Sequence, residues 1–152
     1  MQRNTLIGLA AFGSVALLLG AFAFQHLGGL PPCKLCIWQR WPHAVAIPIG
    51  LIAVAIRGWL LPLLGMLAAL TTGAIGVYHT GVERGLWEGP ATCTASGGDG
   101  LSNADFFDKI VTAPVIRCDD VAWEMLGLSM ASWNALVAFG LAALWWAALR
   151  KS

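Results

Sequence analysis

The sequence predicts an all-α membrane protein: a four-transmembrane-helix bundle with two loops on one side, the second loop carrying a short amphipathic helix. The first observation is composition, because 58% of the residues are hydrophobic and only 11% are charged, whereas soluble domains average about 25% charged residues. The second is four long runs without Lys, Arg, Asp or Glu. The third is that all eight acidic residues lie between Glu83 and Glu124. We therefore expect one membrane domain, residues 1–152, with one sizeable polar segment.

The first predicted span covers about residues 5–27. It contains an uncharged run of 20 residues, Thr5 to Phe24, and about 20 residues cross a hydrocarbon core of about 30 Å. With one basic residue ahead of it, the stretch also resembles a signal peptide. The apolar region of a signal peptide is shorter, about 7–15 residues, so a retained helix is favoured.

The second and third spans are predicted at about residues 41–57 and 59–80, with a first loop at about residues 28–40. The second apolar run has only 16 residues and contains Pro42 and Pro48, which can bend a helix that neighbouring helices support. The turn between the two spans is very short. Two antiparallel helices follow from that turn.

The long polar segment is the second predicted loop, about residues 81–128, and the fourth span covers about residues 129–149. Inside the loop, residues 102–105 resemble a capping box and open an apolar-rich stretch, residues 106–111. We interpret this stretch as a short amphipathic helix on the bilayer surface. A plain loop helix packed on the segment itself is the alternative. Three tryptophans are predicted as interfacial anchors of the fourth span: Trp133, Trp145 and Trp146.

The orientation in the membrane depends on the basic residues near the ends of the helices. Four basic residues lie on one side of the predicted bundle and five on the other, so the raw count is nearly neutral. Some of the five lie beside the first cysteine pair or deep in the long loop, and discounting them favours cytoplasmic termini. All four cysteines then lie on the oxidising side, where disulfides persist. The loops are therefore predicted to be periplasmic.

Cys33 and Cys36 carry the clearest chemistry of the sequence. If a helix begins near Cys33, the two thiols share one face, and Arg40 can lie over the sulfur of Cys36. The field of a helix start and the guanidinium both favour a thiolate at Cys36.

Half of a zinc site is the alternative for this pair. Such a site needs a second close Cys-x-x-Cys or Cys/His pair, but Cys93 and Cys118 are 25 positions apart and the three histidines are scattered. We therefore expect no metal. Four cysteines allow three pairings, and the spacing alone leaves the pairing open. The absence of Lys, Arg, Asp and Glu from the four runs counts against a pump or an ion-coupled transporter.

Five stretches of the sequence together resemble the DsbB family, the bacterial disulfide bond formation protein B. They are PCKLCIWQR at 32–40, YHTGVE at 78–83, WEGPATC at 87–93, APVIRCD at 113–119 and GLSMASWN at 127–134. The likeness covers nearly the whole chain. It implies a protein of the bacterial inner membrane that re-oxidises DsbA, the soluble periplasmic dithiol oxidase. The electrons would pass to a membrane quinone, ubiquinone or menaquinone.

The resemblance also implies a role for each cysteine. Cys93 would form a mixed disulfide with DsbA, and Cys118 would be its loop partner. Cys118 would then attack Cys33, and Cys36 would leave as a thiolate that donates to the quinone.

Two further residues would bind the quinone if the resemblance holds. Arg40 would hydrogen-bond a ring oxygen, and His79 would lie close to the ring. An interfacial histidine without chemistry is the alternative for His79, and Gln39 has a common family form without an assigned role. A quinone reductase of the vitamin K epoxide reductase type is disfavoured, because that family usually carries its Cys-x-x-Cys near the chain end. A non-enzymatic metal-binding or scaffold protein of the envelope is the alternative from another class.

Overall fold

The computed structural model describes residues 1–90, 93 and 116–152 of the chain. The described part is mostly helical, and a two-stranded antiparallel hairpin precedes its last long helix. The elements are α1 Arg3–His26, α2 Lys34–Ala55, α3 Leu60–Glu83, β1 Glu124–Met125, β2 Leu128–Ser129 and α4 Met130–Leu149. Helices α1, α3 and α4 are long and apolar enough to cross a membrane. The fold therefore has three candidate spans and a fourth helix, α2.

The four helices form a closed ring, because α1 and α3 each pack against both α2 and α4. Small residues let the helices approach closely. A Cβ added at Gly65 of α3 would lie 2.6 Å from the indole of Trp145 on α4, so a larger residue there would force the two helices apart. Close approach at small residues is the usual way in which helices pack within a membrane.

Trp145 is not an interfacial anchor, which corrects the prediction from sequence. Its side chain is 0% exposed and lies in the core with Ile7 and Ala53. The adjacent Trp146 is 50% exposed, and the guanidinium of Arg150 lies 4.7 Å above its ring. The angular position around the helix decides whether Trp145 or Trp146 points toward the core, and hydropathy carries no information about that angle.

Helix α2 begins at Lys34, well ahead of residue 41, where the second span was predicted to start. Cys33 is its N-cap, and the Cys36 backbone N–H donates to Cys33 Sγ at 3.2 Å. The helix continues through Pro42 and Pro48. As a result, the first inter-helix connection is shorter than the predicted loop, and the cysteine pair lies on the first turn of α2.

The chain after α3 folds back over the end of that helix. Trp87 Nε1 donates to the Tyr78 carbonyl at 2.8 Å, and the Tyr78 hydroxyl donates to the Glu88 carbonyl at 2.9 Å. The two rings stack with 6.1 Å between centroids. These contacts keep the start of the second loop close to the cysteine pair. The amphipathic helix predicted at residues 106–111 lies outside the described residues.

The opposite end of the bundle is held by Arg3. This side chain is only 7% exposed. Its guanidinium donates to the carbonyls of Ala53, Ile56 and Gly58 at 2.8, 3.4 and 3.1 Å, and its Nε donates to Ser152 Oγ at 3.1 Å. A single cation thus connects the start of α1, the α2–α3 turn and the end of the chain.

Candidate active site

The first cysteine pair lies where the start of α2 meets the end of α3. Cys33 and Cys36 are free thiols, and the Cys33 thiol donates to Cys36 Sγ at 2.8 Å. Cys33 is only 6% exposed, and both residues precede the apolar run that begins at Trp41. This hydrogen bond, with burial, raises the pKa of Cys33 and is the main cause that lowers the pKa of Cys36.

The two thiols are therefore unequal. Of the two thiols in the reduced pair, Cys36 ionises more readily and Cys33 holds its proton more tightly. The direction at Cys36 is the one expected from the sequence, but the main cause is different. The neighbouring thiol contributes most, and the Coulombic effect of Arg40 is small.

The second cysteine pair is a disulfide between Cys93 and Cys118, whose Cα atoms are 5.5 Å apart. Both residues are buried, and they form one cluster with Cys33, Leu35 and Val82. The four cysteines thus come together at one end of the bundle. Only tertiary packing could establish this proximity, because the two members of the second pair are 25 residues apart.

His79 of α3 contacts the first cysteine pair directly. It is 3% exposed, which does not fit the alternative of an exposed interfacial histidine. Its Nε2 lies 3.5 Å from Cys33 Sγ and 3.8 Å from Glu83 Oε1. Its Nδ1 lies 2.9 Å from Gln39 Nε2. His79 is therefore a partner of Cys33 as well as a residue beside the cavity described next.

A cavity of about 450 Å³ opens between α1, α2, α4 and the chain that precedes the hairpin. Its wall is mainly apolar, with Leu17, Phe24 and Trp123 among its residues, and both Cys36 and Arg40 reach it. Ligand pockets typically have volumes of about 300–1,000 Å³ and a few converging polar groups. The cavity has the size and lining expected of a site for a small, mainly apolar ligand.

Arg40 is held by α1. Its Nη1 donates to Gln25 Oε1 at 2.6 Å and its Nη2 to the Ala21 carbonyl at 3.4 Å. The guanidinium also lies 5.0 Å above the ring of Phe22. These contacts orient the cation on the wall of the cavity that Cys36 also reaches, and its charge helps to lower the pKa of Cys36.

A metal could in principle use the Cys33, Cys36 and His79 atoms, which all lie within 4.8 Å of one another. These three residues are the set that the metal-binding alternative would use, and the zinc content of the purified protein tests that alternative.

Three residues of the site were not given a role from the sequence: Gln39, Glu83 and Asn134. Gln39 and Asn134 lie among the helices, where Asn134 Nδ2 donates to Gln39 Oε1 at 2.8 Å. The sequence could have indicated a role for Asn134, because burying an amide side chain within an apolar run costs free energy unless the amide is hydrogen-bonded. Glu83 had no comparable signal, since it stands at the edge of the third run.

Comparison with known proteins identifies relatives over most of the chain. The family model described as disulfide bond formation protein DsbB matches residues 3–148. Several relatives carry the name disulfide bond formation protein B, among them the following three. The Polaromonas sp. protein is 33% identical over 149 residues, 90% of this chain and 83% of the relative. The Azoarcus sp. protein is 33% identical over 158 residues, 94% of this chain and 89% of the relative. The Methylococcus capsulatus protein is 35% identical over 153 residues, 89% of each chain.

No solved structure matches the chain significantly. The family match extends over nearly the whole sequence and includes all four cysteines and the helices that hold them. The chain therefore belongs to the DsbB family of disulfide bond formation proteins.

Proposed function

We propose that this protein re-oxidises a periplasmic dithiol oxidase of the DsbA type and passes two electrons to a membrane quinone, sustaining disulfide bond formation. The observation that carries the proposal is the close packing of two cysteine pairs in one buried cluster beside an apolar cavity. Thiol–disulfide exchange needs a thiolate that can reach a disulfide sulfur. A cavity beside Cys36 gives a lipid-soluble acceptor a place to bind.

The exchange begins at the Cys93–Cys118 disulfide. A partner thiolate attacks Cys93 Sγ, that disulfide breaks, and Cys118 Sγ takes the electron pair. Cys118 then attacks Cys33 Sγ of an oxidised Cys33–Cys36 pair, and Cys36 leaves as a thiolate. A low pKa makes Cys36 the better leaving group, which agrees with the lowered pKa of this thiol.

The second half of the exchange restores the Cys93–Cys118 disulfide. The other cysteine of the same partner molecule, as a thiolate, attacks the partner sulfur that is bonded to Cys93. A disulfide forms within the partner, and Cys93 leaves as a thiolate. Cys93 attacks Cys118 Sγ, the Cys118–Cys33 bond breaks, and Cys33 Sγ takes the electron pair. The described connectivity, with Cys93–Cys118 bonded and the other two cysteines free, is that of this product state.

The cavity residues fit a quinone. When bound, a quinone would supply the two-electron acceptor for the Cys33–Cys36 dithiol. Arg40 would donate to a ring oxygen, since the contacts to α1 hold its guanidinium on the cavity wall. Cys36 would present the deprotonated sulfur, and the apolar wall would exclude water. A charged donor in a water-poor site stabilises negative charge more strongly than the same donor in water.

The proposed location is the bacterial inner membrane, with both termini in the cytoplasm and the cysteines on the periplasmic side. Two observations support it. Arg3 and Ser152 are hydrogen-bonded to each other at one end of the bundle, and the four cysteines cluster elsewhere, at the first turn of α2. Labelling of Cys36 by a membrane-impermeant thiol reagent in intact spheroplasts is expected. Labelling only after the membrane is permeabilised would contradict this orientation.

Anaerobic mixing of the purified protein, a reduced DsbA and ubiquinone tests the function. We expect loss of quinone absorbance in step with oxidation of the partner. Cys36→Ser should abolish quinone reduction while the Cys93–Cys118 disulfide still exchanges once with the partner. Stoichiometric zinc in the purified protein, together with no quinone reduction, would contradict the proposal and favour the metal-binding alternative.

A further inference from the structure

A continuous chain of hydrogen bonds crosses the bundle from α4 to the first cysteine pair. Asn134 Nδ2 donates to Gln39 Oε1 at 2.8 Å, and Gln39 Nε2 lies 2.9 Å from His79 Nδ1. His79 Nε2 in turn lies 3.5 Å from Cys33 Sγ. Gln39 is 6% exposed and His79 is 3% exposed, so water has little access to compete for these bonds.

The direction of each bond in this chain is fixed by backbone carbonyls, which can only accept. The Thr72 hydroxyl donates to the Gln39 carbonyl at 2.8 Å, so its single proton is committed and Thr72 Oγ1 must accept from Asn134 Nδ2, which lies 3.2 Å away. The Asn134 amino group therefore faces Thr72 and Gln39. Its second N–H donates to Gln39 Oε1, which identifies that atom as the oxygen.

The Leu35 carbonyl independently fixes the same orientation of the Gln39 amide. Gln39 Nε2 donates to the Leu35 carbonyl at 3.3 Å, so the amino end of Gln39 points away from Asn134. Its remaining N–H is directed at His79 Nδ1. A ring nitrogen that accepts a hydrogen bond carries no proton, so a neutral His79 carries its proton on Nε2.

We infer that Gln39 and Asn134 are positioning residues that hold His79 as the Nε2–H tautomer, and that His79 donates this hydrogen to Cys33 Sγ. Glu83 Oε1 lies 3.8 Å from this nitrogen, and a carboxylate there favours the same tautomer, as does the nearby sulfur of Cys36 when it is ionised. His79 then acts as a hydrogen-bond donor to the sulfur and not as a base that removes its proton.

The consequence concerns the charge on Cys33. In the exchange proposed above, on which this step rests, the Cys118–Cys33 bond breaks and the electron pair remains on Cys33 Sγ. A donor already directed at that sulfur stabilises the thiolate as it forms. The opposite tautomer would direct a lone pair at the same charge and destabilise it.

Nitrogen NMR of the intact protein in detergent, labelled with ¹⁵N-histidine, tests the tautomer without any activity. The chain has only three histidines, so the His79 signals are assigned by comparison with His79→Gln. We expect an unprotonated Nδ1 and a protonated Nε2 at neutral pH. A protonated Nδ1 in the wild-type protein would overturn the inference.

Gln39→Glu tests the role of Gln39, because the new side chain keeps an oxygen for Asn134 and removes the N–H that faces His79. We expect Nδ1 of His79 to acquire a proton in this variant. His43 is an internal control. Its Nε2 faces Asn134 Oδ1 at 3.1 Å, so the protonation of its two ring nitrogens should not change in this variant. An unchanged Nδ1 of His79 in folded Gln39→Glu would refute the role of Gln39.

Alkylation of Cys33 tests the donor, in a protein that also carries Cys36→Ser. His79→Gln retains a donor without a basic nitrogen, whereas His79→Leu removes both. A hydrogen bond to a charged group corresponds to a shift of about one to two pH units, so Cys33 should react at a correspondingly lower pH with Gln than with Leu at position 79. Equal pH profiles for the two variants would show that His79 does not act as a donor.

Failure of this inference and failure of the proposed function give different results. The NMR and alkylation measurements need no partner and no quinone. A wrong tautomer with normal quinone reduction would reject only the inference. The expected tautomer without quinone reduction would reject only the proposed function.

Discussion

Replacing Arg3 by methionine should destabilise the whole bundle, although Arg3 lies at the end opposite the cysteines. Methionine keeps a long apolar side chain but removes donors to three backbone carbonyls and to Ser152 Oγ. Hydrogen bonds from charged groups contribute about 1.5–3 kcal/mol each. The bond to Ile56 is long, at 3.4 Å, the bond at 3.1 Å to Ser152 Oγ goes to a neutral hydroxyl that also bonds within its own helix end, and water can reach the freed carbonyls in part. We therefore expect a loss of about 2–4 kcal/mol in the free energy of unfolding.

The assay is unfolding of the purified protein in detergent by increasing SDS, followed by tryptophan fluorescence. Arg57→Met is the matched control, because it removes the same charge at the α2–α3 turn, where the Arg57 side chain is exposed and makes no hydrogen bond within the described residues. Arg57→Met should change stability by less than about 0.5 kcal/mol, as is usual for surface substitutions. Equal losses in the two variants would refute the reasoning, since they would indicate an effect of net charge and not of the hydrogen bonds.

Two further predictions concern the site. Arg40→Met should raise the quinone concentration needed for half-maximal rate by about 10- to 100-fold, the effect of losing one charged donor. Lys34→Met removes an exposed cation at the start of α2 and should leave that concentration unchanged, whereas equal effects of the two variants would argue for a general role of charge. With the Cys93–Cys118 disulfide intact, iodoacetamide should react first at Cys36 and at a lower pH than at Cys33, because the pKa of Cys36 is lowered while that of Cys33 is raised. Since the thiolate is the reactive form, Cys33 should react only as the pH rises, and mass spectrometry of the alkylated peptides would reveal any reversal of that order.

The sequence was sufficient for the class of protein and for the family to which it belongs. Uncharged runs predict helices of membrane-spanning length, and α1, α3 and α4 fit those lengths. The interpretation of the thiol pair assumed a helix that begins near Cys33, and Cys33 is the N-cap of α2. These features are local. Each depends on residues within one or two turns of each other, and the sequence displays them directly.

The sequence could not predict which side of each helix is buried in the bundle. A helix that is apolar all round has no polar face to indicate which side is buried, so the sequence did not distinguish Trp145, which is buried, from Trp146, which is half exposed. The hydrogen-bond partners of Arg40 could not be predicted for the same reason. Its partners Gln25 and Ala21 lie on α1, and their position depends on how α1 is rotated against α2.

The sequence by itself determined that this is a helical membrane protein with a reactive thiol pair at a helix start. The tertiary structure alone decided that the Cys93–Cys118 disulfide packs beside that pair, and that Gln39 and Asn134 orient His79 toward Cys33. The physical reason is the range of the interactions. Hydropathy, capping and charge act over a few residues, whereas a hydrogen-bonded network between helices exists only after small residues have let those helices approach and fixed their rotation.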